Sequence, residues 1–205
     1  MNSTDPAPRE RPARPLVLAS TSRYRRELLE RLGLPFAAVA PQADETPLPG
    51  EIPAATALRL AEVKARSVAG AWPDALIIGS DQVADAGGSV VGKPGARAAA
   101  QRQLALLSGR SVVFHTGLAL FDAASGTCQT ALIDVRSRFR VLTATEIDAY
   151  LEREQPWDCA GSVRSEALGI ALFESIESDD PTALIGLPLI RLTTMLRAAG
   201  VPVLG

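Results

Sequence analysis

The chain has 205 residues, with 21 lysines and arginines against 23 acidic residues and a formal net charge of −2, a balance that argues against a dedicated DNA or RNA binder. At 47% hydrophobic and 21% charged it can fill the core of one domain or of two closely joined lobes, and no apolar run approaches the roughly 20 residues of a membrane span. Residues 1–14 hold three prolines and no apolar stretch and read as a flexible leader rather than a signal peptide; 15–205 read as a single domain.

Leu16–Ala19 predicts a buried strand. Ser22 is placed to cap a helix running to about Leu32, which Gly33 stops with Pro35 two residues beyond. Phe36–Ala40 predicts a second strand, followed by a polar loop holding Asp44, Glu45 and Thr46. Over Ala54–Ala71 the residues Leu58, Ala61, Ala65, Val68 and Trp72 fall at helical spacing. Leu76–Gly79 predicts a buried strand ending in Ser80-Asp81-Gln82; a turn at Gly87-Gly88, a short Val90-Val91 segment, Gly92-Lys93-Pro94 and an alanine-rich helix over Ala96–Leu107 follow. Val112–Phe121 and Cys128–Leu142 alternate like strands joined by a tight turn near Ser125-Gly126. On the second of them Asp134, Arg136, Arg138 and Arg140 share one face, and Ile133, Val135, Phe139 and Val141 the other. Thr143 and Glu146 form a capping box for a helix over Thr145–Glu154. Ile170–Ile176 predicts a strand, Pro188 the first turn of a last helix and Gly200 its end. Strands and helices interleave, so the class is α/β; the hairpin breaks a pure βαβ series and predicts a mixed, twisted sheet with flanking helices, in two lobes around a central cleft.

The chemistry-bearing residues gather at element junctions. Ser20 and Ser22 stand where an apolar strand gives way to a helix, and the free N–H groups and dipole of a helix start favour an anion. Arg25 falls on the stripe of Leu28, Leu29 and Leu32 and is expected to face inward to bind an anion rather than to snorkel. Asp81 follows a buried strand, where a carboxylate can activate water or hold a metal, the alternative being a turn cap. Taken alone, Glu45, Lys64, Lys93 and Glu166 read as solvated charges, although either lysine suits a phosphate. His115 reads as a satisfied histidine in a strand. No His/Cys cluster, P-loop or dinucleotide fingerprint is present, so the only metal the residues suit is a hard, oxygen-bound divalent cation such as Mg²⁺ or Mn²⁺. Cys128 and Cys159 stand far apart with no CxxC; that spacing leaves a disulfide open, a reduced cytoplasmic protein being the simpler reading.

Taken together, Leu18-Ala-Ser-Thr-Ser-Arg-Tyr-Arg-Arg-Glu-Leu-Leu29, Asp44-Glu-Thr46, Ala61-Glu-Val-Lys-Ala65, Ile78-Gly-Ser-Asp-Gln82, Gly92-Lys-Pro94, Cys159-Ala-Gly-Ser162 and Gly186-Leu-Pro-Leu189 resemble the Maf family of nucleotide pyrophosphatases, in the right order and over nearly the whole chain. The resemblance implies hydrolysis of a nucleoside triphosphate between the α and β phosphates with a divalent metal. It implies Asp81 as proton acceptor, Ser20, Ser22, Arg25, Lys64 and Lys93 as phosphate-handling residues, and Glu45 with Asp81 at the metal. It implies Tyr24, Gln82 and Glu166 as the positions that divide the family by base, here in the pattern of the branch acting on 7-methyl-GTP rather than on dTTP and UTP. Tyr24 and Arg23 stand where that branch usually carries tryptophan and proline. A cationic base suits an aromatic face and a carboxylate, so Tyr24 is expected to stack on it and Glu166 to accept from its N1–H and amine. A homodimer is implied by the resemblance alone, and a nucleotide-sensing regulator of cell division without catalysis is the alternative from another class. An RNA-binding face at Arg136, Arg138 and Arg140 lacks interleaved aromatics. The expected partner is thus a small nucleotide, with neither nucleic acid nor membrane.

Overall fold

The computed structural model describes residues 14–204, so residues 1–13 of the expected leader lie outside the described part. Arg14, assigned to that leader, belongs to the fold: its guanidinium donates to both carboxylate oxygens of Asp122, Nη1 at 2.7 Å, and Nε donates to the Asp74 carbonyl at 3.1 Å.

A seven-stranded mixed sheet organises the chain, in the order β2 (Ala37–Val39), β1 (Leu16–Ala19), β3 (Leu76–Asp85), β5 (Ser111–Asp122), β6 (Cys128–Phe139) and β7 (Phe173–Glu177), with β4 (Val90–Val91) on a free stretch of β3. β1 runs parallel to β2 and β3, and the other pairings are antiparallel. β1 is wholly buried, as its unbroken apolar run requires of a central parallel strand. The helices are α1 (Arg23–Glu30), α2 (Pro53–Ser67), α3 (Arg97–Leu107), α4 (Ala144–Glu154) and α5 (Leu189–Ala198).

α2 lies so close on the sheet that two strand positions have no room for a side chain. A Cβ at Gly79 would stand 2.0 Å from the Ala61 carbonyl oxygen, and one at Gly117 would stand 2.1 Å from that of Ala57. The apolar core forms three clusters. One joins α3 and α4 to the far ends of β3, β5 and β6 around Leu104, Phe114, Phe139 and Tyr150. One joins α1 and α5 to one sheet face around Leu28, Ile78 and Leu192. The third seats α2 on the other face around Ala61, Ala65 and Ile77. The expected cleft opens between the first two clusters: its wall includes Val91, Val163 and Leu184 of the first, and Ile185, which packs against the second.

Several element limits differ from the sequence reading. α1 ends at Glu30, with Arg31 as C-cap and single turns to Gly33. α2 stops at Ser67, and Ala69–Ala71 continues as a 3₁₀ turn. Leu58 is only half-buried, while Ala57, Leu60 and Lys64 take the inner stripe. β3 does not end at Gly79: it pairs with β5 for ten residues, which puts Ser80, Asp81 and Gln82 inside a strand, not in the turn after it. The strand expected over Ile170–Ile176 begins at Phe173, because Leu168–Leu172 coils into 3₁₀ turns whose Gly169 packs against the Arg164 backbone. β6 ends at Phe139, so Val141 lies outside the sheet, 76% exposed rather than inward. The capping box of Thr143 and Glu146 is formed as expected.

Candidate active site

The junction of β1 and α1 is built by its two serines. Ser20 Oγ accepts the Ser22 N–H at 3.1 Å, and Ser22 Oγ caps the helix by accepting the Arg25 N–H at 3.4 Å. These bonds fix the entry of the helix, whose free N–H groups face the same end. Arg25 points inward, as its spacing from Leu28 and Leu29 requires. Its Nε donates to the Gly186 carbonyl at 2.8 Å, and Nη1 lies 3.5 Å from Ser20 Oγ. It forms no ion pair among the described residues. Burial lowers its pKa, and the negative charges of Asp81 and Glu45 oppose that shift.

Asp81 lies on the α2 face of β3, just past the point where β1 ends its pairing at Leu18–Ile78. The departure of β1 frees the edge of β3 and opens the site at the carboxyl end of the parallel strands, where α/β sheets place ligands. The neighbours of Asp81 alternate to the other face: Ser80 and Gln82 bond the turn at residues 183–186. Lys64, on the buried stripe of α2, donates to Asp81 Oδ1 at 2.6 Å and lies 3.0 Å from Glu45 Oε1. The side chains of Lys64 and Asp81 are 7% and 11% exposed and that of Glu45 is 56% exposed, so the ammonium bridges a buried carboxylate to one on the loop. That loop is strapped to α2 by Glu51, which pairs through both oxygens with Arg59 and accepts from the Leu48 N–H and Thr56 hydroxyl. The Arg59 bonds hold the Glu51 carboxyl down at about 2.

Nine of the ten residues singled out from the sequence line one cavity of about 340 Å³: Ser22, Tyr24, Arg25, Glu45, Lys64, Asp81, Gln82, Lys93 and Glu166. The tenth, Ser20, lines an adjoining hollow of about 300 Å³ with Ser22, Arg25, Lys64 and Lys93. Lys93 is exposed and forms no ion pair among the described residues. The cavity therefore has a cationic end (Arg25, Lys93 and the start of α1) beside a carboxylate pair bridged by one lysine. A larger hollow of about 730 Å³ between β6 and α5 contains none of these residues.

The three positions expected to meet the base are less free than expected. Tyr24 is buried and walls the cavity, but its ring carries the Arg23 guanidinium at 4.7 Å and that of Arg164 at 5.6 Å. Its hydroxyl accepts from Arg23 at 2.6 Å and donates to Asp158 at 3.2 Å. A cationic base stacking on Tyr24 must share the ring with these two cations. Gln82 has both amide hydrogens committed to Thr116 Oγ1 and the Ala183 and Leu184 carbonyls, so its remaining offer is the amide oxygen, an acceptor. Glu166 is 20% exposed at the side chain and accepts from Arg164 Nε at 3.4 Å, while Arg164 also pairs with Glu154 at 2.9 Å.

Sequence reasoning missed Arg164, Asp158, Gly186 and the Glu51–Arg59 strap. Arg164, Asp158 and Gly186 act through partners far along the chain, while the strap joins residues eight apart across a loop-to-helix junction; only Gly186, inside the Gly-Leu-Pro segment, lies in a motif. His115 is satisfied as expected, Nδ1 lying 2.7 Å from Asp134. Both cysteines are free, and burial pushes the Cys159 thiol up to about 12.

A family model described as Maf-like protein matches residues 15–199. The chain belongs to the Maf family. Maf relatives cover almost its full length. A protein of Burkholderia pseudomallei named 7-methyl-GTP pyrophosphatase is 61% identical over 193 residues, 93% of this chain and 90% of its own. Proteins of the same name from Thiobacillus denitrificans and Cupriavidus metallidurans are 58% and 56% identical, covering 92% and 95% of this chain and 94% and 97% of theirs. The mixed sheet with flanking helices accords with membership of the Maf family.

Proposed function

We propose that this cavity hydrolyses 7-methyl-GTP to 7-methyl-GMP and pyrophosphate. The observation that carries the reading is Asp81: a nearly buried carboxylate in a cavity wall, bonded to Lys64 and set beside the cationic end formed by Arg25, Lys93 and the start of α1. Ser22, Arg25, Lys93 and the first N–H groups of α1 hold the phosphate oxygens as charge develops on them. Asp81 takes a proton from the attacking water as the water oxygen bonds to the α-phosphorus. The bond from that phosphorus to the bridging oxygen breaks, and pyrophosphate leaves with its electron pair. Lys64 holds the Asp81 carboxylate in place through their 2.6 Å hydrogen bond.

A divalent cation is part of the proposal. Glu45 and Asp81 each give one oxygen to the Lys64 ammonium, at 3.0 and 2.6 Å, so a divalent cation would be held beside that ammonium by the second oxygen of each carboxylate. Two carboxylates completed by substrate phosphates are a donor set that suits Mg²⁺ or Mn²⁺. Such an ion, when bound, supplies charge neutralisation on the phosphates. The base is recognised by acceptors: Glu166 takes the N1–H and amine of guanine, and the Gln82 amide oxygen adds another. The names of the relatives support the methylated base. The guanidinium groups on Tyr24 favour a second reading, an uncharged base as in the dTTP and UTP branch. No helix of the described residues is long and apolar enough to cross a membrane; a cytoplasmic setting belongs to the proposal and accords with two free thiols.

Turnover of 7-methyl-GTP in ¹⁸O-water, read by mass spectrometry, tests the reaction. The label is expected in the monophosphate, with unlabelled pyrophosphate. Labelled pyrophosphate, or release of orthophosphate, overturns it.

A further inference from the structure

The turn between β7 and α5 supplies three carbonyl groups to residues of the cavity wall. Gly186 C=O accepts from Arg25 Nε at 2.8 Å and shares the single Ser80 hydroxyl hydrogen with the Gly117 C=O of β5, each 2.8 Å from Ser80 Oγ. Ala183 C=O accepts from Gln82 at 2.9 Å and from the buried Thr116 hydroxyl at 3.0 Å, and Leu184 C=O accepts from Gln82 at 3.0 Å. The Gly186 carbonyl is thus the common reference point of the anion-facing arginine and of the strand that carries Asp81.

Two features hold that carbonyl where it is. Gly186 has φ +111°, a conformation open to glycine, and a Cβ there would lie 3.3 Å from Arg25 Nε. Behind it Asp180, 2% exposed, spends its whole carboxylate on the turn. Oδ1 accepts from the N–H and hydroxyl of Thr182 at 3.1 and 2.7 Å. Oδ2 accepts from the N–H groups of Ile190 and Arg191 at 2.7 and 3.2 Å, capping α5. Thr182 Oγ1 accepts from the Leu189 N–H at 2.8 Å, and its single hydrogen is shared between Asp180 Oδ1 and the Leu187 carbonyl, at 2.7 and 2.8 Å, closing the loop on itself. No charged partner faces Asp180 within ion-pair distance among the described residues; four hydrogen bonds to one buried carboxylate stiffen the turn instead.

We propose that Asp180 and Gly186 are positioning residues of this site. They act through Arg25: with Nε fixed to the turn, Nη1 is held on the Ser20 side, 3.5 Å from Ser20 Oγ, and the guanidinium meets an arriving oxyanion in one orientation at no ordering cost. Asparagine at 180 cannot accept on both sides, because its NH₂ group faces two donors. The proposal rests on Arg25 binding the triphosphate.

A double-mutant cycle on 7-methyl-GTP turnover separates the two claims. Arg25→Ala is expected to lower kcat/KM about 100-fold and Asp180→Asn about tenfold, while Asp180→Asn in the Arg25→Ala background lowers it no further than about twofold, since residues acting as one unit are non-additive. Gly186→Ala is expected to behave like Asp180→Asn and serves where the latter fails to fold. Fully additive losses for the folded variants overturn the positioning role and leave the phosphate role of Arg25 standing. An Arg25→Ala variant with unchanged kcat/KM overturns the phosphate role itself and, with it, this proposal.

Discussion

Gly79→Ala probes the close approach of α2 that places Lys64 beside Asp81. The added methyl would lie 2.0 Å from the Ala61 carbonyl oxygen, 2.9 Å from the Ala65 nitrogen and 3.0 Å from the Ala65 Cβ. Opening the first contact to an ordinary carbon–oxygen separation of ~3.3 Å requires α2 to withdraw by about 1.3 Å, because all three neighbours are helix atoms that cannot rotate away. Lys64 sits between Ala61 and Ala65, so its ammonium moves with them, and its 2.6 Å bond to Asp81 stretches past ~3.5 Å, beyond hydrogen-bond range. Overpacking of this kind costs about 1–3 kcal/mol, which corresponds to a Tm about 2–12 °C lower for a chain of this size. A misplacement of ~1 Å at the reacting groups lowers kcat about 100-fold. Thermal denaturation followed by circular dichroism measures the first effect, and pyrophosphate release by the soluble variant measures the second. A variant with wild-type Tm and kcat would refute the close approach of α2 as the feature that sets the Lys64–Asp81 pair.

Asp81→Asn removes the proposed proton acceptor while Lys64 keeps its contact with Glu45; turnover is expected to fall by about 10²–10⁴ with an unchanged circular dichroism spectrum, and near-normal turnover excludes Asp81 as the base. Cys159 lines the cavity with its thiol pushed up to about 12 by burial. A raised thiol pKa keeps the unreactive S–H form as pH rises, so iodoacetamide labelling followed by mass spectrometry should be slow at about pH 8.5, where an ordinary thiol is half ionised, and should quicken only toward the raised value; rapid labelling at neutral pH contradicts the buried placement.

The parts of the fold legible in the sequence are those set by local pattern. The unbroken run Leu16–Ala19, the cap at Ser22, the capping box of Thr143 and Glu146, and the alternation along β5 and β6 each depend on a few adjacent residues. Helical spacing alone places Arg25 inward. What the sequence hid depends on partners far along the chain. β3 reads as four apolar residues and a stop, because Ser80 and Gln82 look like loop; their donors are satisfied by carbonyls of β5 and of the turn at residues 183–186, and the strand continues. Glu45 reads as a solvated acid until Lys64 on the next helix draws it to Asp81. Tyr24 reads as a free stacking platform, and only the fold brings Arg164 against its ring.

The most direct test of the account is a competition in one vessel: 7-methyl-GTP, GTP, dTTP and UTP at equal concentration with Mg²⁺, the products resolved by mass spectrometry at low conversion. The account predicts that 7-methyl-GMP and pyrophosphate form first and in excess. Dominant formation of dTMP or UMP would contradict the assignment of the base, and orthophosphate as the inorganic product would contradict the reaction.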